Sequence, residues 1–90
     1  MSMDEQYQQM QIFTTTLMEF NGHLGASVND LKKNHDHVSP LWQDEMRKRY
    51  DVIWGPFEEK MKYYLNVESQ NYVEFLHIKL HALNLYLRGG

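Results

Sequence analysis

Apolar residues recur along this chain at intervals of three and four. In the first third, Met10, Phe13, Leu17, Phe20, Leu24, Leu31 and Val38 keep that rhythm, with Ser27 and Asn34 at the positions between. The alternation places side chains on one stripe of an α-helix, and over several heptads it marks a helix whose seam faces another helix. Ser2 and Glu5 have capping-box spacing and start it. The pattern predicts a helix over residues 4–34. It is weakest near Gly22, because Gly22 and Gly25 each cost about 1 kcal/mol relative to alanine, and Thr14, Thr15 and Thr16 are poor helix formers.

Residues 34–40 read as a turn. Ser39 followed by Pro40 is a helix start, serine capping the free amides and proline suiting the first helical position. The second stripe is Trp42, Met46, Tyr50, Ile53, Phe57, Met61 and Tyr64. Asp44 with Lys48, Glu45 with Arg49 and Glu58 with Lys62 mark its solvent side, each pair adding about 0.2–0.5 kcal/mol. Gly55-Pro56 predicts a kink or short break, since proline removes a donor and crowds the carbonyl of Val52. Asn66 opens a second junction. The third stripe, Val73, Leu76, Leu80, Leu83 and Leu87, carries a second apolar flank of Phe75, Ile78, Ala82 and Leu85. A helix apolar over so wide an arc does not rest its back in water. It is either the central helix of a bundle or a docking surface for another chain.

These stripes predict an all-α fold: a long antiparallel helical hairpin, residues 4–34 against 40–65, plus a third helix at about 67–87, closing a three-helix bundle. Residues 1–88 form one helical domain and 89–90 a short diglycine tail. The expected core holds Phe13, Leu17, Phe20, Leu24, Leu31, Trp42, Met46, Tyr50, Ile53, Phe57, Leu76, Leu80 and Leu83. Both flanks of the third helix cannot be inside a three-helix monomer together. Phe75, Ile78, Ala82 and Leu85 are therefore the expected interface with a second chain, in a homo- or hetero-oligomer.

Composition narrows the function classes. Ninety residues make one domain, and 42% hydrophobic with 13% aromatic content supplies a core. The net charge of −3 comes from 9 basic and 12 acidic residues mixed along the chain. There is no basic stripe, so nucleic acid is not an expected partner. Without cysteine there are no disulfides, no thiolate zinc sites and no cysteine nucleophile. The opening Met1-Ser2-Met3-Asp4-Glu5-Gln6 is acidic and polar, unlike a signal peptide. No apolar run approaches the ~20 residues of a membrane span. A cytoplasmic protein without membrane partners is expected.

No constellation carries catalytic chemistry. His77 and His81 are four apart and could face one metal ion, but Ile78 and Lys79 stand where an HExxH motif needs other residues, and Leu85 supplies no carboxylate one turn on. They read as amphipathic helix residues, and His35 and His37 as turn residues. The carboxylates lie opposite lysine and arginine on charged faces, as on any solvated helix. Ser27, Ser39 and Ser69 lack a Gly-x-Ser-x-Gly elbow, and Gly22 and Gly25 do not make a phosphate loop. The expectation is a non-enzyme with no cofactor and no metal.

Trp54-Gly55 within a long hairpin resembles the WXG-motif family, small helical hairpins exported by ESX-type secretion systems. The similarity covers residues 4–65 in length, heptad pattern and tryptophan use. Tyr64-Leu65-Asn66-Val67-Glu68 is similar to the family's Tyr-x-x-x-Asp/Glu export signal. In that family Trp-x-Gly lies in the hairpin turn; here the dipeptide is Trp-Gly and a proline follows. The resemblance implies a dimeric or secretion-associated partner protein.

Leu87-Arg88-Gly89-Gly90 resembles the tail of ubiquitin-like modifiers. That resemblance implies activating and conjugating enzymes as partners. Gly89 and Gly90 would thread a narrow adenylation channel, Arg88 would pair with an acidic enzyme residue, and Leu87 would seat in an apolar notch. The Gly90 carboxylate would pass to a target amine or hydroxyl. Locally the same residues read as a helix end, with Gly89 the C-terminal cap and Arg88 complementing the helix dipole. A cap is normally followed by more chain, whereas a modifier ends at its reactive carboxylate. The two readings both stand at this point.

Overall fold

A computed structural model describes residues 2–89. Every described residue except Ser2, Trp42, Gln43 and Gly89 is helical. The first helix, α1, spans Met3–Val38. The Ser2 hydroxyl accepts from the Glu5 amide at 3.1 Å, and Asp4 and Glu5 lie in the positive first turn. The helix runs unbroken past Gly22 and Gly25, so the expected weak point does not bend it. It also continues four residues beyond Asn34. A single 3-10 turn, Ser39–Leu41, follows.

The second helix, α2, spans Asp44–Tyr63 and therefore starts four residues later than Ser39-Pro40 suggested. The Ser39 amide is spent on the His35 carbonyl, which makes Ser39 the end of α1 rather than a cap for α2. Pro40 opens the 3-10 turn instead. Asp44 enters α2 with φ 56°, a left-handed conformation that aspartate tolerates better than bulkier residues.

Neither predicted interruption of the second half occurs. Pro56 sits inside α2, and it and Val52, whose carbonyl loses an amide donor, are both exposed. At Asn66 there is no junction. A π-helical turn, Tyr64–Glu68, joins α2 to α3, Ser69–Arg88, with helical dihedrals throughout. Residues 44–88 thus form one arm, and the expected three-helix bundle is instead a two-arm hairpin. No glycine or proline lies between Met61 and Arg88 to break that arm.

The π turn has a cause in the pattern. On α1 the inward positions repeat strictly every seven residues: Tyr7, Thr14, Asn21, Val28 and His35, with Met10, Leu17, Leu24 and Val38 between. On the second arm Trp54 and Met61 are seven apart, then Ser69 comes after eight, then Leu76 and Leu83 after seven. Glu58, Leu65, Val73, Leu80 and Leu87 show the same single step of eight. A regular α-helix would carry everything beyond Met61 about 100° off the seam. The wider turn at Tyr64–Glu68 absorbs the extra residue and returns the stripe to α1.

Three polar rungs fix the antiparallel register. Arg88 pairs with Asp4 at 3.5 Å and lies over the Tyr7 ring at the open end. The Tyr64 hydroxyl donates to Asn21 Oδ1 at 2.7 Å mid-length. His35 Nδ1 and the Tyr50 hydroxyl are 2.7 Å apart near the tip. The rod measures 66 × 20 × 16 Å.

Two arms enclose only a seam. Leu76, 7% exposed, is the one apolar side chain in the buried class among the described residues. Small hydroxyl residues occupy the other tight positions. Thr14 bonds back to the Met10 carbonyl and Ser69 to the Leu65 carbonyl, each at 2.8 Å, so neither is buried unsatisfied. Leu17, Leu24, Trp42, Tyr50, Leu80 and Leu83 do face inward as expected. Phe13, Phe20, Leu31, Met46, Ile53 and Phe57 do not, and Ile53 is 73% exposed. They would need a third helix beside them, and none is there. Among the described residues no helix is long and apolar enough to cross a membrane.

Candidate functional site

The second arm is apolar on its back as well as along its seam. Phe75, Ile78, Ala82 and Leu85 recur at three and four on the side of α3 away from Leu76. Phe75, Ile78 and Leu85 are 52%, 59% and 42% exposed, and Ala82 is exposed too. The Lys79 ammonium lies 5.4 Å from the Phe75 ring centre and covers part of it. The residues predicted as a partner interface are thus brought together on one surface.

Apolar surface also covers the broad sides of the rod. Phe13 meets Tyr72 edge to face, with ring centres 6.3 Å apart, so both lie on one side. Phe20, Leu24, Lys60, Tyr63, Tyr64 and Glu68 line a groove along the middle of the rod. Met18 is two residues from Phe20, about 200° round the helix, and faces the opposite side. There it lines an open groove with Asn21, Ser69, Val73, His77 and Ile78. His77 and His81 share that groove with Glu74, but among the described residues no three His, Asp or Glu side chains converge as metal ligands.

Near the tip the expected core residues Trp42 and Tyr50 join an aromatic cluster whose other members, His35 and Trp54, sequence reasoning missed. His35 stacks on Trp54 at 4.3 Å and on Tyr50 at 5.2 Å, and Trp42 meets Tyr50 edge to face at 4.3 Å. The Trp54 indole donates to Glu58 at 3.1 Å, and Lys62 donates to the same carboxylate at 3.3 Å. The Lys62 hydrogen bond holds the Glu58 carboxyl below its ordinary range. Burial pushes the Tyr50 phenol up, and Asp51 adds to the shift. His35 is therefore a packing residue. The signal for it was the seven-residue spacing from Val28, masked by its place in a polar run. Trp54-Gly55 lies within α2, one turn past Tyr50, while Trp42 stands at the hairpin turn.

The tail is helical up to Arg88. Gly89 adopts the left-handed cap conformation, φ 68°, and its amide donates to the Leu85 carbonyl. Leu87 completes the seam. Arg88 folds back on Asp4 and Tyr7. Gly90 lies outside the described residues. No known protein family, curated protein or solved structure matches this chain.

Proposed function

We propose that this chain is a non-catalytic helical protein-interaction module, with the α3 stripe Phe75, Ile78, Ala82 and Leu85 as its partner surface. The observation that carries the reading is the imbalance of burial: among the described residues one apolar side chain is in the buried class, while an apolar stripe stands in solvent. Exposed stripes at three-four spacing are how a helix presents itself to another helix or a groove. An open, mainly apolar helix face suits binding better than catalysis.

A photo-crosslinking residue at Ile78 or Leu85, in the full chain in its native host, tests this. A discrete protein adduct is expected, and it should vanish when Phe75 is also changed to glutamate. No adduct from either position would end the proposal.

Conjugation through Gly90 is the second reading. An added Cβ at Gly89 would meet nothing within 4 Å, so its surroundings are open. Leu87 and Arg88, however, belong to the last helical turn. An activating enzyme would have to release Arg88 from Asp4 and unwind that turn before Leu87 could enter a notch. Capping alone predicts that deleting Gly89 and Gly90 costs on the order of 1 kcal/mol at most. Conjugation predicts that the same deletion abolishes higher-mass adducts in the host and that target lysines, serines or threonines carry a diglycine remnant. A WXG-type role would instead appear as a paired hairpin protein and a secretion ATPase encoded beside this chain.

A further inference from the structure

The rod exposes more surface than a self-sufficient protein of its mass. It presents 7029 Å² to solvent, whereas a compact folded monomer of 10.8 kDa presents about 5,500 Å². Its radius of gyration is 19.6 Å against about 12 Å for a compact chain of this length. The surplus of about 1,500 Å² falls inside the ~1,000–2,500 Å² per chain that obligate homodimers bury.

Part of that surplus is the broad side carrying the exposed rings of Phe13, Phe20, Tyr63 and Tyr72. Two features make it complementary to itself. The first is its placement: the groove beside Phe20 and Tyr64 sits at the middle rung, where Tyr64 bonds Asn21. Aromatic side chains extend from it toward the open end, as Phe13 and Tyr72, and exposed Met46 and Ile53, in seven-residue steps before Lys60, continue the Lys60 side toward the tip. The second is charge. Lys60 lies four residues before Tyr64 and Glu68 four residues after it, and both line the same groove. Neither is in an ion pair within the chain among the described residues. A twofold axis through Tyr64 exchanges the two positions and sets Lys60 of each copy against Glu68 of the other.

We propose that a second copy of this chain packs antiparallel on the Phe13–Phe20–Tyr72 side, about a twofold axis at the π turn, closing a four-helix bundle. The proposal rests on the interaction-module reading and deepens it. Ile78 and Leu85 stay at the edge of the dimer, open to a further partner.

Sedimentation equilibrium of the full chain should give twice the 10.8 kDa monomer mass. Phe20 is 54% exposed, so Phe20→Glu should leave the helical content of the hairpin intact. It should weaken self-association at least ~30-fold, as loss of a central aromatic anchor does. Lys60→Glu and Glu68→Lys should each weaken the dimer about 5- to 10-fold, and the double reversal should restore it. That rescue reads the antiparallel pairing directly, and a general loss of folding would not produce it. A chain that remains monomeric at high concentration, or a dimer indifferent to Phe20→Glu, or absence of rescue in the double reversal, overturns the proposal. A monomer that still yields a heterologous crosslink from Ile78 would overturn only the self-pairing and leave the interaction module standing.

Discussion

Removing one residue from a helix should usually be ruinous, but here one place should tolerate it. The second arm carries one residue more than a heptad seam accommodates, and the π turn at Tyr64–Glu68 takes it up. Deleting Asn66, exposed and without a side-chain hydrogen bond, makes the steps from Met61 to Ser69 and from Leu65 to Val73 seven. A plain α-helix then holds Leu76, Leu80, Leu83 and Leu87 on the seam. Deleting Glu19, equally exposed, does the opposite, because α1 repeats strictly every seven residues. Everything on one side of the cut turns by about 100°. Met10 and Leu17, or else Leu24 and Val28, leave the interface. At about 1.5–3 kcal/mol per apolar side chain the loss is roughly 3–6 kcal/mol, comparable with the whole stability of a small domain at ~5–15 kcal/mol. Thermal unfolding followed by far-ultraviolet circular dichroism separates the two, read in a Phe20→Glu background so that self-association does not enter. The Asn66 deletion should keep a cooperative transition within about 4–8 °C of its parent, the shift that ~1 kcal/mol causes in a domain this small. The Glu19 deletion should lose the transition. If removing Asn66 is as damaging as removing Glu19, the π turn is not accommodating an extra residue and the account of the seam is wrong.

Other expectations are simpler. Gly22→Ala should stabilise by about 1 kcal/mol, since the new Cβ meets nothing within 4 Å and helix propensity rises; a lower midpoint in chemical denaturation would refute it. Leu76→Ala should cost about 2–5 kcal/mol, because Leu76 is the one apolar side chain in the buried class among the described residues. The Glu58 carboxyl is held below its ordinary range by the Lys62 hydrogen bond. Its contribution is therefore present above the unfolded carboxylate pKa and is lost as pH falls through the lower, folded value. Glu58→Gln should accordingly flatten the acid limb of a stability–pH profile and leave the alkaline limb unchanged.

The all-α class and the inner stripe of α3 were legible because Val73, Leu76, Leu80, Leu83 and Leu87 keep one period with no competing signal. The start of α1 was legible in Ser2 and Glu5. The phase of the α1 seam was not. Phe13 and Phe20 outweigh Thr14 and Asn21 on any hydrophobic scale, yet the polar pair faces the partner arm and the phenylalanines do not. A seam between two closely packed helices favours small or bonded residues, and Asn21 is selected by Tyr64, 43 residues away. Gly55-Pro56 misled because local breakers act on an isolated helix, while here exposure of Val52 and Pro56 lets one missing bond be met by solvent. The predicted junction at Asn66 was a true change of phase read as a change of direction. The back stripe of α3 was visible in the sequence because Phe75, Ile78, Ala82 and Leu85 left no polar face behind Leu76.

The spacing of the three rungs also orders events in time. His35 and Tyr50 close a loop of 15 residues, Tyr64 and Asn21 one of 43, and Arg88 and Asp4 nearly the whole chain. Loop-closure entropy grows with length, so contacts form first at the tip and zip outward. Fluctuations run the other way: the end that joins last is the first to part, without global unfolding. Arg88 lets go of Asp4, the last turn loosens, and Gly89 becomes reachable while the aromatic stack around His35 stays closed. Amide hydrogen exchange would register this as protection that falls from Trp54 towards Arg88. A partner that recognised this end would meet it already intermittently released.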